Sequence, residues 1–389
     1  MELFSEIRPF TDAEAADAIA TLLADDGFVL GVCRLRWPVL SKFLTFLLLP
    51  LTRYILSRKL SGVVSLDDFQ WRMQPYLSRM AENSMASFSA AGTTNLLGDG
   101  NYLFISNHRD IIVDAAMLSH VLFHQFHKTP CIAVGDNLLK RSFVGNLLRL
   151  NKCFIVSRNS PSLGKKIAGL RRLSAYIYYC LTEGNHCVWL AQKGGRAKDG
   201  LDKTDPAIIK MLAINKKPDE SFGSYIKGLK IVPVSISYEY DPCDLLKAKE
   251  LYMLETKGEY IKAEDEDFTS MGLGILGYKG DVHLHIGPVI TNIFEDAFEA
   301  AQYLDKQIIG NYRLHPSNIF AYQRFYGQLP IALAGILVNK PSLYKKEQEF
   351  MCRLNTVPKH LQKYWLKIYA NPVVSFIELR QKDGAYDAP

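Results

Sequence analysis

From Tyr102 onward, short apolar runs of strand type alternate with longer stretches of helical periodicity, and this alternation restricts the fold more than any other feature. Strand-type runs fall at 102–106, 130–134, 152–156, 187–191, 230–237 and 281–287. Helical patterns fill 112–126, 163–182 and 206–215, with more between 290 and 328. Such alternation predicts an α/β fold: a buried, mostly parallel or mixed sheet flanked by helices. Reacting groups then belong in the loops beyond the strand ends.

Those strand ends carry the chemistry. The run Tyr102 to Ile105 stops at Ser106-Asn107-His108, and Asp110 and Asp114 follow before the helical pattern resumes. A histidine at a strand end with carboxylates in reach is an economical general base, because the imidazole takes a proton near neutral pH and the acid fixes its tautomer. A second strand, over 152–156, delivers Arg158, whose forked guanidinium matches phosphate oxygens at two points. A third breaks into the glycine-rich basic loop Gln192-Lys-Gly-Gly-Arg-Ala-Lys-Asp-Gly200, where Lys193, Gly195 and Arg196 offer charge and open backbone N–H groups to an anion. Lys198, Asp199, Asp202 and Lys203 read as a solvated turn. A fourth strand, over 230–237, contains Pro233 and leads into Tyr238-Glu-Tyr-Asp241.

In order and character, SNHRDIIVDA, RLNKCFIVSR, AQKGGRAKDG and PVSISYEYDPCD resemble the four motif blocks of the phospholipid/glycerol acyltransferase superfamily, of the 1-acylglycerol-3-phosphate acyltransferase type. More narrowly they resemble a bacterial branch labelled glycerol acyltransferase. The motifs cover roughly residues 95–245. The resemblance implies transfer of a fatty acyl group from acyl-CoA or acyl-carrier protein, with no other cofactor, to a hydroxyl of a lysophospholipid or glycerol-phosphate acceptor. It implies His108 as base and Asn107, Arg158, Lys193, Gly195, Arg196 and Pro233 as substrate-binding residues.

Two departures stand out. The superfamily pairs its histidine with an acid after four intervening residues, a place that holds Val113 here, so the partner is Asp114 one residue further or Asp110 two residues after His108. Asp114 is preferred, because an acid in the first turn of a helix can point back to the strand end. The third block also lacks its usual glutamate, and Gly194 stands at that position. Its loss permits a phosphate-free lyso-aminolipid acceptor, or a catalytically silent lipid-binding protein. No GxSxG elbow exists, which argues against an acyl-enzyme hydrolase.

Composition excludes several other classes. The chain has 389 residues, 48% hydrophobic and 22% charged, with a net charge of +6. That suits a globular core and an anionic membrane face or phosphorylated substrate. Lys and Arg are dispersed without a recognition motif, so no nucleic-acid partner is expected. Seven cysteines form no metal-ligand spacing and read as thiols of a reducing compartment. His120, His124 and His127 share a helical face but lack an acid at HExxH-type spacing, so no metal is expected. His283 and His285 read as polar-face residues of one strand, and GLGILG at 272–277 as a turn.

The flanks read as helical. Thr11 and Glu14 signal a capping box opening a helix over 11–25, and a second helical pattern covers 66–91. Between them, residues 37–60 form the most apolar stretch, interrupted by Thr45 and Pro50 and flanked by Lys42 and Arg53. It is too short to span a bilayer and suits a helix lying in the interface, with a buried core helix as the alternative. Basic amphipathic patterns over 342–370 either pack on the core or meet membrane. The expected organisation is a helical, membrane-associating region at 1–95, an acyltransferase α/β domain at 96–290 and a helical extension at 291–389. The N-terminus lacks a signal-peptide layout, so the expected location is the cytoplasmic face of the inner membrane, peripheral or monotopic.

Overall fold

Thr11 and Glu14 form the capping box the sequence signals, and Arg8 closes on the Glu14 carboxylate at 2.7 Å. The helix they open is the first element of a computed structural model that describes residues 2–97, 99–158, 162–328, 333 and 343–382. Helices α1 (Asp12–Ala24), α2 (Asp26–Arg36), α3 (Thr45–Leu60) and α4 (Leu66–Ser84) precede strands β1 (Ser87–Ala91) and β2 (Leu103–Ser106). Then come α5 (Val113–Phe126), β3 (Cys131–Gly135), α6 (Ser142–Leu150), β4 (Cys153–Val156), α7 (Leu163–Thr182) and β5 (Val188–Ala191). The remainder holds α8 (Pro206–Leu212), α9 (Phe222–Gly228), β6 (Ile231–Tyr238), α10 (Asp244–Lys257) and α11 (Glu266–Leu276). Strand β7 (Asp281–Ile286) and helices α12 (Ala297–Gly310), α13 (Pro316–Tyr326), α14 (Leu343–Thr356) and α15 (Lys359–Lys382) complete it.

The chain forms two compact units, each assembled from two stretches: Met1–Ser78 with Lys128–Val188, and Arg79–His127 with Trp189–Pro389. In the first unit, Ala15, Ile19, Leu22, Leu60, Phe69 and Leu150 form one buried cluster, and β3 runs parallel to β4 with Ile132 opposite Cys153. In the second, the sheet order is β1-β7-β6-β2-β5. The β1/β7 and β2/β6 ladders are parallel and β6/β7 is antiparallel. The fold class is therefore α/β with a mostly parallel sheet and flanking helices, as the alternation predicts.

The structure differs from the expectations in four places, and over 342–370 it takes one of the two alternatives. The pattern over 66–91 breaks at Ser84, and Ser87–Ala91 becomes β1, a strand that exists through its pairing with β7. Residues 37–60 divide into a 3₁₀ turn, Leu40–Lys42, and α3, which contains Pro50. Among the described residues no helix is long and apolar enough to cross a membrane. The helix over 206–215 ends at Leu212, and Ala213–Asn215 tighten into a 3₁₀ turn. GLGILG is no turn: its residues up to Leu276 are the last part of α11. The basic stretch 342–370, apart from Ser342, which lies outside the described residues, packs on the core. Phe350, Leu354, Trp365, Ile368 and Tyr369 are buried with Tyr240 and Phe320.

Candidate active site

Strand β2 ends beside Val234 of β6, and the next residue keeps the two chains together with its side chain. Asn107 Oδ1 accepts from Ile236 N–H at 2.8 Å, and its Nδ2 donates to Ile236 C=O at 2.9 Å and to Asp202 Oδ2 at 3.1 Å. It is wholly buried, with no surface left to touch a substrate, so the expected binding residue is instead a clamp that fixes where His108 emerges.

His108 Nδ1 lies 2.8 Å from Asp114 Oδ2. Asp114 sits in the first turn of α5 and points back to the strand end. Its Oδ2 also accepts from the backbone N–H of Arg109 and Asp110 at 2.7 and 3.0 Å, while Oδ1 accepts from the Tyr238 hydroxyl at 2.7 Å. A carboxylate with that many donors is fixed in place. Since it can only accept, the neutral ring of His108 carries its proton on Nδ1 and presents Nε2 as the base. The Trp189 ring meets His108 edge-on at 5.7 Å, and Ala197 N–H holds the His108 carbonyl at 2.8 Å. The His108 side chain is 13% exposed.

Asp110 has a different role. Its Oδ1 accepts from Ile112 and Val113 N–H at 2.9 and 2.8 Å, fastening the entry to α5. Burial first, and then the charge of Asp114, push its carboxyl above the ordinary range. Of the two candidate partners, Asp114 holds His108 and Asp110 does not.

A buried ionic layer supports this turn, and it is invisible in the local sequence. Arg109 donates to Asp202 Oδ2 at 2.6 Å and to Gly200 C=O at 3.0 Å, with its guanidinium 5.4 Å from the Tyr312 ring centre. Burial works against the Arg109 charge, but Asp202 outweighs it and holds the pKa above its ordinary value. Lys247, also buried, donates to the Arg109 carbonyl at 2.7 Å and pairs with Asp241. Asp202, expected in a solvated turn, is therefore a buried counter-ion, and Lys198 pairs with Glu250 rather than standing in solvent.

The basic loop places its residues unequally. Lys193 Nζ donates to the Leu201 carbonyl at 3.2 Å, a loop-closing bond. Gly195 adopts φ 85°, a conformation for which glycine is suited. Arg196 is 9% exposed; its Nη2 donates to Ser270 Oγ of α11 at 3.3 Å, and its Nη1 is buried without a partner among the described residues. Pro233 is buried within β6 rather than lining a site. Its carbonyl accepts from Gly287 N–H at 2.8 Å, so its missing donor faces the side where the β7 ladder has already ended at Ile286. Arg158 lies in the first unit. Its N–H donates to Asp136 Oδ2 at 3.2 Å, and a Cβ on Gly135 would fall 2.5 Å from its Nε, so the guanidinium rests over a glycine. No cluster of His, Cys, Asp or Glu among the described residues can hold a metal.

Residues 87–237 match the family model described as Acyltransferase. The region is a domain of the phospholipid/glycerol acyltransferase superfamily. The match begins at β1 and ends one residue before Tyr238, so it contains His108, Asp114, Arg158, Arg196 and Pro233. The dihydroxyacetone phosphate acyltransferases of Bos taurus and Homo sapiens are each 28% identical over 193 residues, covering 49% of this chain and 26% of their own. The chain thus matches about a quarter of the length of these relatives. The 1-acyl-sn-glycerophosphate (LPA) acyltransferase PlsC from Thermotoga maritima superposes over 75% of this chain and 93% of its own, at 16% identity and a TM-score of 0.36, too loosely to carry weight. Tyr238, Asp202 and Lys247 lie in or beside the acyltransferase blocks, but spacing alone does not mark them. Only the fold brings them to His108 and Arg109.

Proposed function

We propose that this protein is a glycerolipid O-acyltransferase that moves an acyl group from acyl-CoA or acyl-carrier protein to the hydroxyl of a lysophospholipid or glycerol-phosphate acceptor. The observation that carries the reading is the His108–Asp114 pair at the end of β2. His108 Nε2 takes the hydroxyl proton as the acceptor oxygen attacks the thioester carbonyl. The carbon–sulfur bond then breaks, and the proton passes from the imidazolium to the departing thiolate. Asp114 stabilises the imidazolium meanwhile. Arg196, with an unpartnered buried Nη1, supplies fork geometry for an anionic head group.

A lipid acceptor brings membrane with it. Phe43 and Phe46 are 76% and 72% exposed, and Leu47, Leu51 and Tyr54 continue the apolar surface beside Lys42, Arg53 and Arg58. Such a surface suits peripheral or monotopic attachment at an anionic, cytoplasmic leaflet of the inner membrane. A second acceptor class, a phosphate-free lyso-aminolipid, is favoured by Gly194, around whose Cα there is open space where the superfamily carries a carboxylate.

The test is to incubate purified protein with labelled acyl-CoA or acyl-carrier protein against a panel of lysolipids with and without phosphate. Labelled lipid is the expected product. Free fatty acid alone would indicate a thioesterase, and no turnover with retained lipid binding would indicate a silent lipid-binding protein.

A further inference from the structure

Helix α11 meets the site through its smallest residues. Ser270 accepts from Arg196, and at Gly274 a Cβ would fall 2.3 Å from Asp110 Oδ2. Both residues are buried, whereas Leu276, at the end of the same helix, is 63% exposed, and Phe268 and Leu273 are exposed as well. The helix is thus reversed relative to an ordinary surface helix, with small or polar groups inward and large apolar groups outward. Gly258, at φ 77°, ends α10, and residues 259–263 between the two helices have no regular structure. Beneath α11, the Cys243 thiol donates to the Ser270 carbonyl at 3.5 Å and is buried.

We propose that α11 is a movable cap and that Ser270 is a positioning residue that latches it to Arg196 until an anionic group takes the guanidinium over. This rests on the reading of Arg196 as an anion ligand. In the latched state Arg196 is nine-tenths buried and has one free nitrogen, so the guanidinium must give up Ser270 to meet a phosphate at two points. That exchange loosens the bond holding α11 and opens the approach to His108. The outward apolar residues then stand at the rim, where an acyl chain enters. Substrate binding and cap opening become one event, which keeps water from the acyl donor until an acceptor is present.

The test reads Cys243 directly. The full-length protein is pulsed with N-ethylmaleimide, and modification at each cysteine is followed by peptide mass spectrometry. Cys243 should label slowly in the wild type and several-fold faster with saturating sn-glycerol 3-phosphate. Ser270→Ala, which removes a hydrogen bond to a charged group, should raise the basal rate about tenfold, and Ser270→Thr should restore it. Cys180, buried in the other unit, should not change. A wild-type rate at Cys243 in Ser270→Ala overturns the latch, as does an equal rise at Cys180, which would show general loosening. Fast labelling in Ser270→Ala with no response of the wild type to sn-glycerol 3-phosphate keeps the latch and overturns Arg196 as the phosphate ligand.

Discussion

His108 Nδ1 donates to Asp114 Oδ2 across 2.8 Å, and five residues separate the two in sequence rather than the superfamily's four. In the turn between them Asp110 Oδ1 receives the N–H groups of Ile112 and Val113, and Asp114 falls in the first turn of α5. The spacing departs from the superfamily pattern, but the contact between base and acid is made.

This arrangement separates the two acids experimentally. Asp114→Asn supplies a donor where His108 needs an acceptor and should lower kcat by about 10²–10⁴-fold. Asp110→Asn replaces a carboxyl whose charge is already disfavoured and keeps the oxygen that caps α5, so kcat should stay within about tenfold. Steady-state kinetics on both variants, with circular dichroism as the fold control, checks the pair. A larger loss in Asp110→Asn would reverse the assignment.

Asn107 should act on stability rather than on KM. Asn107→Ala leaves the buried N–H and C=O of Ile236 short of a partner, at about 1–3 kcal/mol for each group left unsatisfied. Urea unfolding should show the loss, while KM for the acceptor stays near the wild-type value in the folded fraction. A raised KM with unchanged stability would return Asn107 to the substrate.

Removing one partner of the buried ion pair should be costlier still. Asp202→Ala strands the Arg109 charge, 5% exposed, and breaking a buried pair in this way costs about 3–5 kcal/mol. An Arg109→Met, Asp202→Leu double variant should recover part of that loss, because it removes both charges. A double variant as unstable as Asp202→Ala would show that packing, not charge, is at stake.

These contacts also show what the sequence carries and what it omits. Strands β2 and β6 were legible because burial leaves nearly continuous apolar runs such as Leu103-Phe-Ile. Strand β1 was not, since Ser87-Phe-Ser-Ala-Ala has weak strand preference and is held by β7, nearly two hundred residues away. His108, Asp114 and Arg196 were legible through their motifs. Arg109, Asp202 and Lys247 were not, because a charged residue in a loop reads as solvated until its distant counter-ion is known. Gly272 and Gly274 suggested a turn, but only the fold shows that Gly274 leaves room for Asp110 against a helix.

His315 should make the fold sensitive to acid. It opens α13, its ring accepts from the backbone of Asn318, and Nε2 lies 3.2 Å from Ser237 Oγ. Burial first, opposed by Asp281 and Ser237, lowers its pKa from 6.5 to about 3. Between those values the unfolded chain binds the proton and the folded chain does not, so stability rises with pH from about 3 to 6.5 and is lost on acidification. The slope approaches about 1.4 kcal/mol per pH unit from this group alone. Urea midpoints of wild type and His315→Gln across that range isolate it: the variant's curve should be flatter. Parallel curves would remove His315 as the source.

The exposed apolar surface of α3 and the preceding turn gives the last test. Phe43 and Phe46 contribute nothing visible to the core of their own unit, yet each leaves most of a large ring in water. Phe43→Ser with Phe46→Ser should therefore leave the unfolding midpoint nearly unchanged. Burying a phenyl ring is worth about 1.5–3 kcal/mol, so losing two should weaken partition onto vesicles by about two to four powers of ten. Neighbouring Lys42 and Arg58 add attraction for anionic lipid, so sedimentation with phosphatidylglycerol vesicles should exceed that with phosphatidylcholine and fall as salt screens the charge. Vesicle binding unaffected by both substitutions and by salt would place the membrane contact elsewhere. A large fall in stability would mean that these rings serve the fold.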